Sequence, residues 1–226
     1  IQVDEDTRIN VKLKSGQETE INAPGPKVTD EQFQALLTKI RNTTSDDTVI
    51  VAGSVPKSIP SDAYAQIAEI TKDTGAKLVV DAEKDLVETV LPYQPLFIKP
   101  NKDELEVMFN TTVTSDEDVV KYGKEILKMG AQSVIISLGG DGAIYVDKKQ
   151  SIKAVNPQGQ VVNTVGSGDS TVAGMVAGLA SGLSIQDAFK QAVASGTATA
   201  FDEDLATRDA IEKIKSQVTI SVLDGE

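Results

Sequence analysis

The sequence of 226 residues has no cysteine, no histidine and no tryptophan. The lack of cysteine excludes a disulfide framework and a thiolate nucleophile, and without cysteine or histidine a zinc site loses its usual donors. A Ser-His-Asp or Cys-His mechanism has no proton shuttle. Any general base must be Asp, Glu, Lys or Tyr, and any metal a hard cation held by oxygen. Positive charge is scarce as well. The 22 Lys and Arg residues face 34 Asp and Glu, a net charge of −12. No cationic field would gather phosphate backbones, so nucleic acid is not an expected partner. Long apolar runs are missing: the most apolar stretch, residues 172–180, is far shorter than the roughly 20 residues of a membrane span. With no basic and apolar leader at the start, a cytoplasmic protein without membrane contact is expected.

What remains is an ordinary globular composition, 40% hydrophobic and 25% charged, with enough apolar side chains for a real core. Ile9, Val11 and Leu13 alternate with Arg8, Asn10 and Lys12, the period of a half-buried strand. Lys14 to Gln17 reads as a turn, with Thr19 and Ile21 in the return strand of a hairpin that Ala23-Pro24-Gly25-Pro26 ends. Beyond it, strands and helices alternate. Helices are expected over 29–41, with Thr29 and Gln32 as a capping box, over 60–74 ending at Gly75, and over 115–129 ending at Gly130. Strands are expected over 48–52, 77–80, 96–98, 133–138, 143–146 and 152–155, and late helices over 169–181, 185–200 and 207–216. Val49-Ile50-Val51 and Val134-Ile135-Ile136 read as buried on both faces, which favours a parallel sheet covered by helices. The expected organisation is a three-layer α/β/α domain over residues 27–226, with a small β-hairpin, residues 1–26, projecting from its front.

In a parallel α/β sheet, ligands bind beyond the carboxyl ends of the strands. The unusual residues stand in those places: Ser54, Asp81, Lys99 with Asn101, and Gly139-Gly140-Asp141-Gly142. The strongest local signal is the run from Asn163 to Thr171, where Gly166 and Gly168 precede a helix lined by Ala173, Gly174, Ala177 and Gly178. A helix N-terminus leaves N–H groups unpaired and attracts anions, and glycine lets a phosphate approach the backbone. Asp169 can simply cap that helix. Alternatively it takes a proton from an attacking hydroxyl while the loop cradles phosphoryl oxygens. The run is no Walker loop, since it has no Gly-Lys-Ser/Thr, and no dinucleotide fingerprint, since Thr171 holds the place of the third glycine. Asn101 followed by Glu104 fits a capping box, and the same oxygens fit the water shell of Mg²⁺. Gly139 to Gly142 is a tight turn or a bed for a flat nucleotide. Lys99 is a snorkelling surface lysine or a phosphate contact. Arg8 and Asn10 default to a solvated face, and Asp202-Glu203-Asp204 to a solvated loop.

Taken together, Lys99-Pro100-Asn101-Lys102-Asp103-Glu104, Ser137-Leu138-Gly139-Gly140-Asp141-Gly142 and Val165-Gly166-Ser167-Gly168-Asp169-Ser170 resemble the motifs of the ribokinase-like sugar kinases, the group of the phosphofructokinase-B-type enzymes. The last is similar to that family's Gly-x-Gly-Asp signature at the start of a late helix. Thr7-Arg8-Ile9-Asn10, Glu20-Ile21-Asn22-Ala23-Pro24-Gly25-Pro26 and Ala52-Gly53-Ser54-Val55-Pro56 are similar to bacterial 1-phosphofructokinases and tagatose-6-phosphate kinases. The second of these runs tilts the resemblance toward the former.

The resemblance spans essentially the whole chain and implies ATP-dependent phosphorylation of a ketohexose phosphate. Fructose 1-phosphate is the expected substrate and tagatose 6-phosphate the alternative. It implies Asp169 as catalytic base, with the backbone N–H groups of Gly166, Ser167 and Gly168 stabilising the transferred phosphoryl group. It further implies Asn101 and Glu104 as water-mediated Mg²⁺ ligands, Lys99 as a phosphate contact, and Ser137, Leu138, Gly139, Gly140, Asp141 and Gly142 as the nucleotide bed beside Gly168 and Asp169. Arg8 and Ser54 would hold the sugar phosphate under the hairpin, a lid that often pairs between subunits, so a homodimer is expected. Family members begin with an Asn-Pro-x-x-Asp-type sugar contact and then a Gly-Gly-Lys-Gly-x-Asn segment, and neither occurs here. The chain is therefore expected to be the C-terminal portion of a larger kinase, active or reduced to an inert nucleotide-binding module.

Overall fold

A computed structural model describes residues 1–15 and 17–225, so Gly16, at the centre of the expected hairpin turn, lies outside the described residues. The chain divides into two compact units, Ile1–Tyr93 and Gln94–Glu226. In the first, β1 (Asn10–Ser15) and β2 (Gln17–Asn22) form the antiparallel hairpin, with Val11 opposite Ile21 and Leu13 opposite Thr19. Its apolar face is not half-buried as the alternation suggests: Ile9, Val11, Leu13 and Ile21 are 66%, 42%, 49% and 56% exposed. The period is right, but a two-stranded ribbon has no second layer of its own to bury that face.

Helix α1 (Asp30–Arg41) starts at the expected capping box. Gln32 N donates to Thr29 Oγ1 at 3.2 Å and Thr29 N to Gln32 Oε1 at 2.8 Å. β3 (Thr48–Ala52) runs parallel to β4 (Lys77–Asp81), joined by α2 (Ala63–Thr74), which ends at left-handed Gly75. Leu78, Val79 and Val80 of β4 are buried, but Ile50 of β3 is 46% exposed, against the two-sided burial expected for Val49 to Val51. Among the described residues β3 stands at the end of the strand order, with no paired strand on one edge. A short helix, α3 (Lys84–Val90), follows where the sequence signals none.

The second unit runs β5 (Phe97–Ile98), α4 (Lys102–Phe109), α5 (Asp116–Met129), β6 (Ser133–Ser137), β7 (Ala143–Asp147), β8 (Gln150–Val155), α6 (Ser167–Ala180), α7 (Ile185–Ala200), α8 (Arg208–Lys215) and β9 (Thr219–Gly225). The strands lie in chain order, β5 parallel to β6 and each later pair antiparallel. The expected parallel sheet is therefore mixed. Links as short as the 3-10 turn Gly139–Asp141 can only reverse a strand, because a parallel return needs a crossover.

Helices cover both faces of this sheet. Tyr145 meets Phe189 of α7 with ring centroids 5.7 Å apart, whereas its neighbour Val146 faces Gly123 of α5, where a Cβ would stand 2.9 Å from Val146 Cγ2. Adjacent strand residues point to opposite faces, so α5 and α7 flank the sheet. Ile135, Ile136, Ile144 and Ile152 are fully buried between them. The small residues of α6 have a packing role: a Cβ on Gly174 would come within 2.9 Å of Ala192 Cα, and one on Gly178 within 2.9 Å of Ala188 Cα. Among the described residues no helix is long and apolar enough to cross a membrane.

Candidate active site

Parallel pairing of β5 with β6 sets Ile98 beside Val134 and, further along, Asn101 beside Ser137. Lys99, Asn101 and Ser137 therefore emerge together at the carboxyl ends of two strands. They line a cleft of about 700 Å³, with Leu138, Gly139, Gly140 and Gly142 of the turn, Ser167, Gly168 and Thr171 of α6, and Gly196 and Thr197 of α7. Lys99 is only 8% exposed, which corrects its reading as a snorkelling surface lysine. A cation at the wall of this cleft suits an anionic ligand.

The glycines of the turn have different reasons to be glycine. Gly142 has φ 92°, and a Cβ there would collide with the Ala154 carbonyl, while Leu138 N donates to Gly142 O at 2.8 Å to close the turn. A Cβ at Gly140 would meet nothing within 4 Å. Packing within the fold therefore does not require its smallness.

Helix α6 begins two residues before the expected start, because Gly166 adopts φ 79° and is itself the N-cap. Asp169 is thus in the first turn and is not the cap, which removes the capping reading. No side chain caps this helix end among the described residues. Ser167 N donates to Thr164 O at 3.2 Å, which removes it from the expected phosphoryl donors, while the first-turn N–H groups beyond it keep donors for a ligand. The end is anchored from behind: Ser167 Oγ donates to Gly196 O at 2.9 Å, Thr171 Oγ1 to Ser167 O at 2.9 Å, and Ser170 Oγ pairs with Thr199 Oγ1 at 2.9 Å. Asp169 is exposed, one residue from cleft-lining Gly168. Asp141, Gly166 and Glu104 likewise sit on the cleft's turns and helices but outside its walls.

The capping box at α4 forms in full: Asn101 Oδ1 accepts Glu104 N at 2.8 Å and Glu104 Oε2 accepts Asn101 N at 2.8 Å. Glu104 thereby fixes the residue that does line the cleft. Among the described residues no group of three or more His, Cys, Asp or Glu converges on one point. A Mg²⁺ ion that keeps its own waters does not need one, and each capping oxygen retains a lone pair for such a water. The donor set fits.

Sequence reasoning missed Asn156. Its Nδ2 donates to Gly139 O at 3.0 Å and its Oδ1 accepts Thr197 Oγ1 at 2.8 Å, tying the glycine turn to α7. The local signal was an Asn-Pro pair after β8, which reads as punctuation. In the first unit, Arg8 and Ser54, 46 positions apart, come together. Arg8 Nη1 donates to Ser54 Oγ and Arg8 Nε to Asn10 Oδ1 at 2.7 Å. All three remain exposed, so the guanidinium is held by side-chain contacts on a solvated face.

Residues 1–210 match the pattern of the pfkB family carbohydrate kinases. The chain belongs to that family. A 1-phosphofructokinase of Bacillus subtilis (strain 168) is 43% identical over 218 residues, covering 96% of this chain and 72% of that one. A D-tagatose-1-phosphate kinase of Bacillus licheniformis is 34% identical over 224 residues, covering 99% and 74%. A crystal structure from Staphylococcus aureus, provisionally assigned as a phosphofructokinase, is 82% identical with a TM-score of 0.91, over 99% of this chain and 73% of that one. The fold is that of the ribokinase-like pfkB kinases, and the cleft-lining motifs are those by which the sequence resembled them.

Proposed function

We propose that this pfkB kinase transfers the γ-phosphoryl group of ATP to the free primary hydroxyl of fructose 1-phosphate, giving fructose 1,6-bisphosphate. The observation that carries the reading is an exposed carboxylate, Asp169, one residue beyond Gly168 in the wall of a cleft of about 700 Å³. The nucleotide lies along the turn from Ser137 to Gly142, with its phosphates toward Lys99 and the uncapped end of α6. Asp169 accepts the hydroxyl proton as the sugar oxygen bonds to the γ-phosphorus and the bond to the β-phosphate oxygen breaks, releasing ADP. The N–H groups of Gly166 and Gly168 take up charge on the transferred group, Ser167 N being bonded to Thr164 O. Asn101 and Glu104 would hold Mg²⁺ through its waters, and when bound it would supply charge neutralisation at the phosphates. Arg8 and Ser54 hold the sugar phosphate.

The choice of sugar rests on names alone: relatives at 43% and 38% identity are 1-phosphofructokinases, and tagatose-6-phosphate kinases stand at 33%. A panel settles it. With ATP and Mg²⁺, fructose 1-phosphate should give the highest kcat/KM; a higher value for tagatose 6-phosphate, or nucleotide binding without turnover on any sugar, contradicts the proposal.

Two further features belong to the same reading. The exposed apolar face of the hairpin, Ile9, Val11, Leu13 and Ile21, is the surface through which two copies would pair, and Val11→Lys should then shift the sedimenting mass to the monomer. ATP and phosphorylated sugars are metabolites of the cytoplasm, where the protein would work.

A further inference from the structure

Tyr64, in the first turn of α2, is 5% exposed. Its hydroxyl donates to the Gly53 carbonyl at 2.7 Å, while Gly53 N donates to the Asp81 carbonyl at 3.0 Å. Gly53 sits at φ 81°, in the left-handed region that glycine occupies without strain. It is thus held through both of its backbone polar groups, once from α2 and once from the end of β4. The next residue is Ser54, whose Oγ accepts from Arg8 Nη1. A phenylalanine would fill the space under this turn and bury no hydroxyl. Among the described residues the O–H donates to the Gly53 carbonyl, at the turn that leads into Ser54.

We propose that Tyr64 is a positioning residue, whose hydroxyl holds the Gly53–Ser54 turn in the conformation that presents Ser54 and Arg8 to the phosphorylated sugar. This rests on the reading of Arg8 and Ser54 given under Proposed function. Tyr64 acts through the backbone and does not itself touch the sugar. Its donor is permanent at working pH, because burial and then the charge of Asp81 push the phenol up to about 12.

Tyr64→Phe keeps the ring and removes one buried neutral hydrogen bond, a loss of roughly 2- to 12-fold. That loss should fall on fructose 1-phosphate affinity alone. Calorimetric titration of the chain with fructose 1-phosphate and, separately, with ATP reads it in the parent, Arg8→Ala, Ser54→Ala, Tyr64→Phe and the Ser54→Ala/Tyr64→Phe double variant. Support is a weaker sugar phosphate with unchanged ATP in Tyr64→Phe, and a double variant no weaker than Ser54→Ala, since residues acting through one contact are not additive. If Arg8→Ala and Ser54→Ala weaken binding but Tyr64→Phe does not, the inference alone falls. It also falls if Tyr64→Phe weakens both ligands equally or adds fully to Ser54→Ala. If neither Arg8→Ala nor Ser54→Ala changes sugar-phosphate affinity, or the parent binds none, the underlying reading falls and takes the inference with it.

Discussion

Ser167 Oγ donates to the Gly196 carbonyl at 2.9 Å, and Gly196 has no room for a side chain: a Cβ there would strike Thr171 Oγ1 and stand 2.9 Å from the Ser167 carbonyl. The uncapped end of α6 is thus set by close approach to the C-terminal half of α7. Gly196→Ala should cost about 1–3 kcal/mol of stability, the usual range for overpacking, and weaken ATP binding. Ser167→Ala removes one hydrogen bond and should cost about 1 kcal/mol. Denaturant unfolding and nucleotide titration of both variants check the order.

Gly140 and Gly142, two residues apart, should respond oppositely to alanine. A Cβ at Gly140 enters open space, whereas one at Gly142 meets the Ala154 carbonyl. Gly140→Ala should leave the melting temperature unchanged while raising the KM for ATP; Gly142→Ala should lower the melting temperature. Unchanged ATP saturation in Gly140→Ala would place the nucleotide elsewhere.

Local chemistry made much of this legible. Thr29, Asn101 and Ser115 cap the helices they announce, and Gly75 and Gly130 end theirs. The strand-end positions of Lys99, Asn101 and Ser137 follow from short apolar runs meeting polar residues. What was hidden depends on distant sequence. Asp169 resembled a cap because Asp is a good one, but left-handed Gly166 starts the helix earlier. β9 has six of its seven residues exposed, so no buried period marked it. Burial of Lys99 and the wall formed by Gly196 and Thr197 arise from packing that no local window shows.

Glu104→Gln separates two roles of one residue. Glutamine satisfies a capping box as well as glutamate does, so the α4 cap of Asn101 and its stability should survive. The lost charge should raise the Mg²⁺ concentration for half-maximal turnover by roughly tenfold, the scale of outer-shell changes at metal sites. An unchanged requirement would confine Glu104 to the helix.

Two buried tyrosines give the fold an alkaline limit. Burial, then Asp81, pushes Tyr64 up to about 12. Burial, aided by Asp147 and opposed by a hydrogen bond with Ser133, raises Tyr145 further. A raised folded pKa contributes stability that is fully present below the unfolded value of about 10 and is lost as pH rises through the folded value. Stability should therefore fall from about pH 10 upward, by roughly 2 kcal/mol from Tyr64 by pH 12. Tyr64→Phe should flatten that part of the curve in denaturant unfolding at stepped pH.

The account depends most on Asp169 as the group that collects the hydroxyl proton. Bisphosphate formation from ATP, Mg²⁺ and fructose 1-phosphate by the parent chain and by Asp169→Asn tests it directly, with ATP affinity measured alongside. The account predicts turnover reduced by roughly 10²- to 10⁴-fold, the scale of a lost general base, with ATP affinity nearly intact. Turnover by Asp169→Asn close to that of the parent would contradict it.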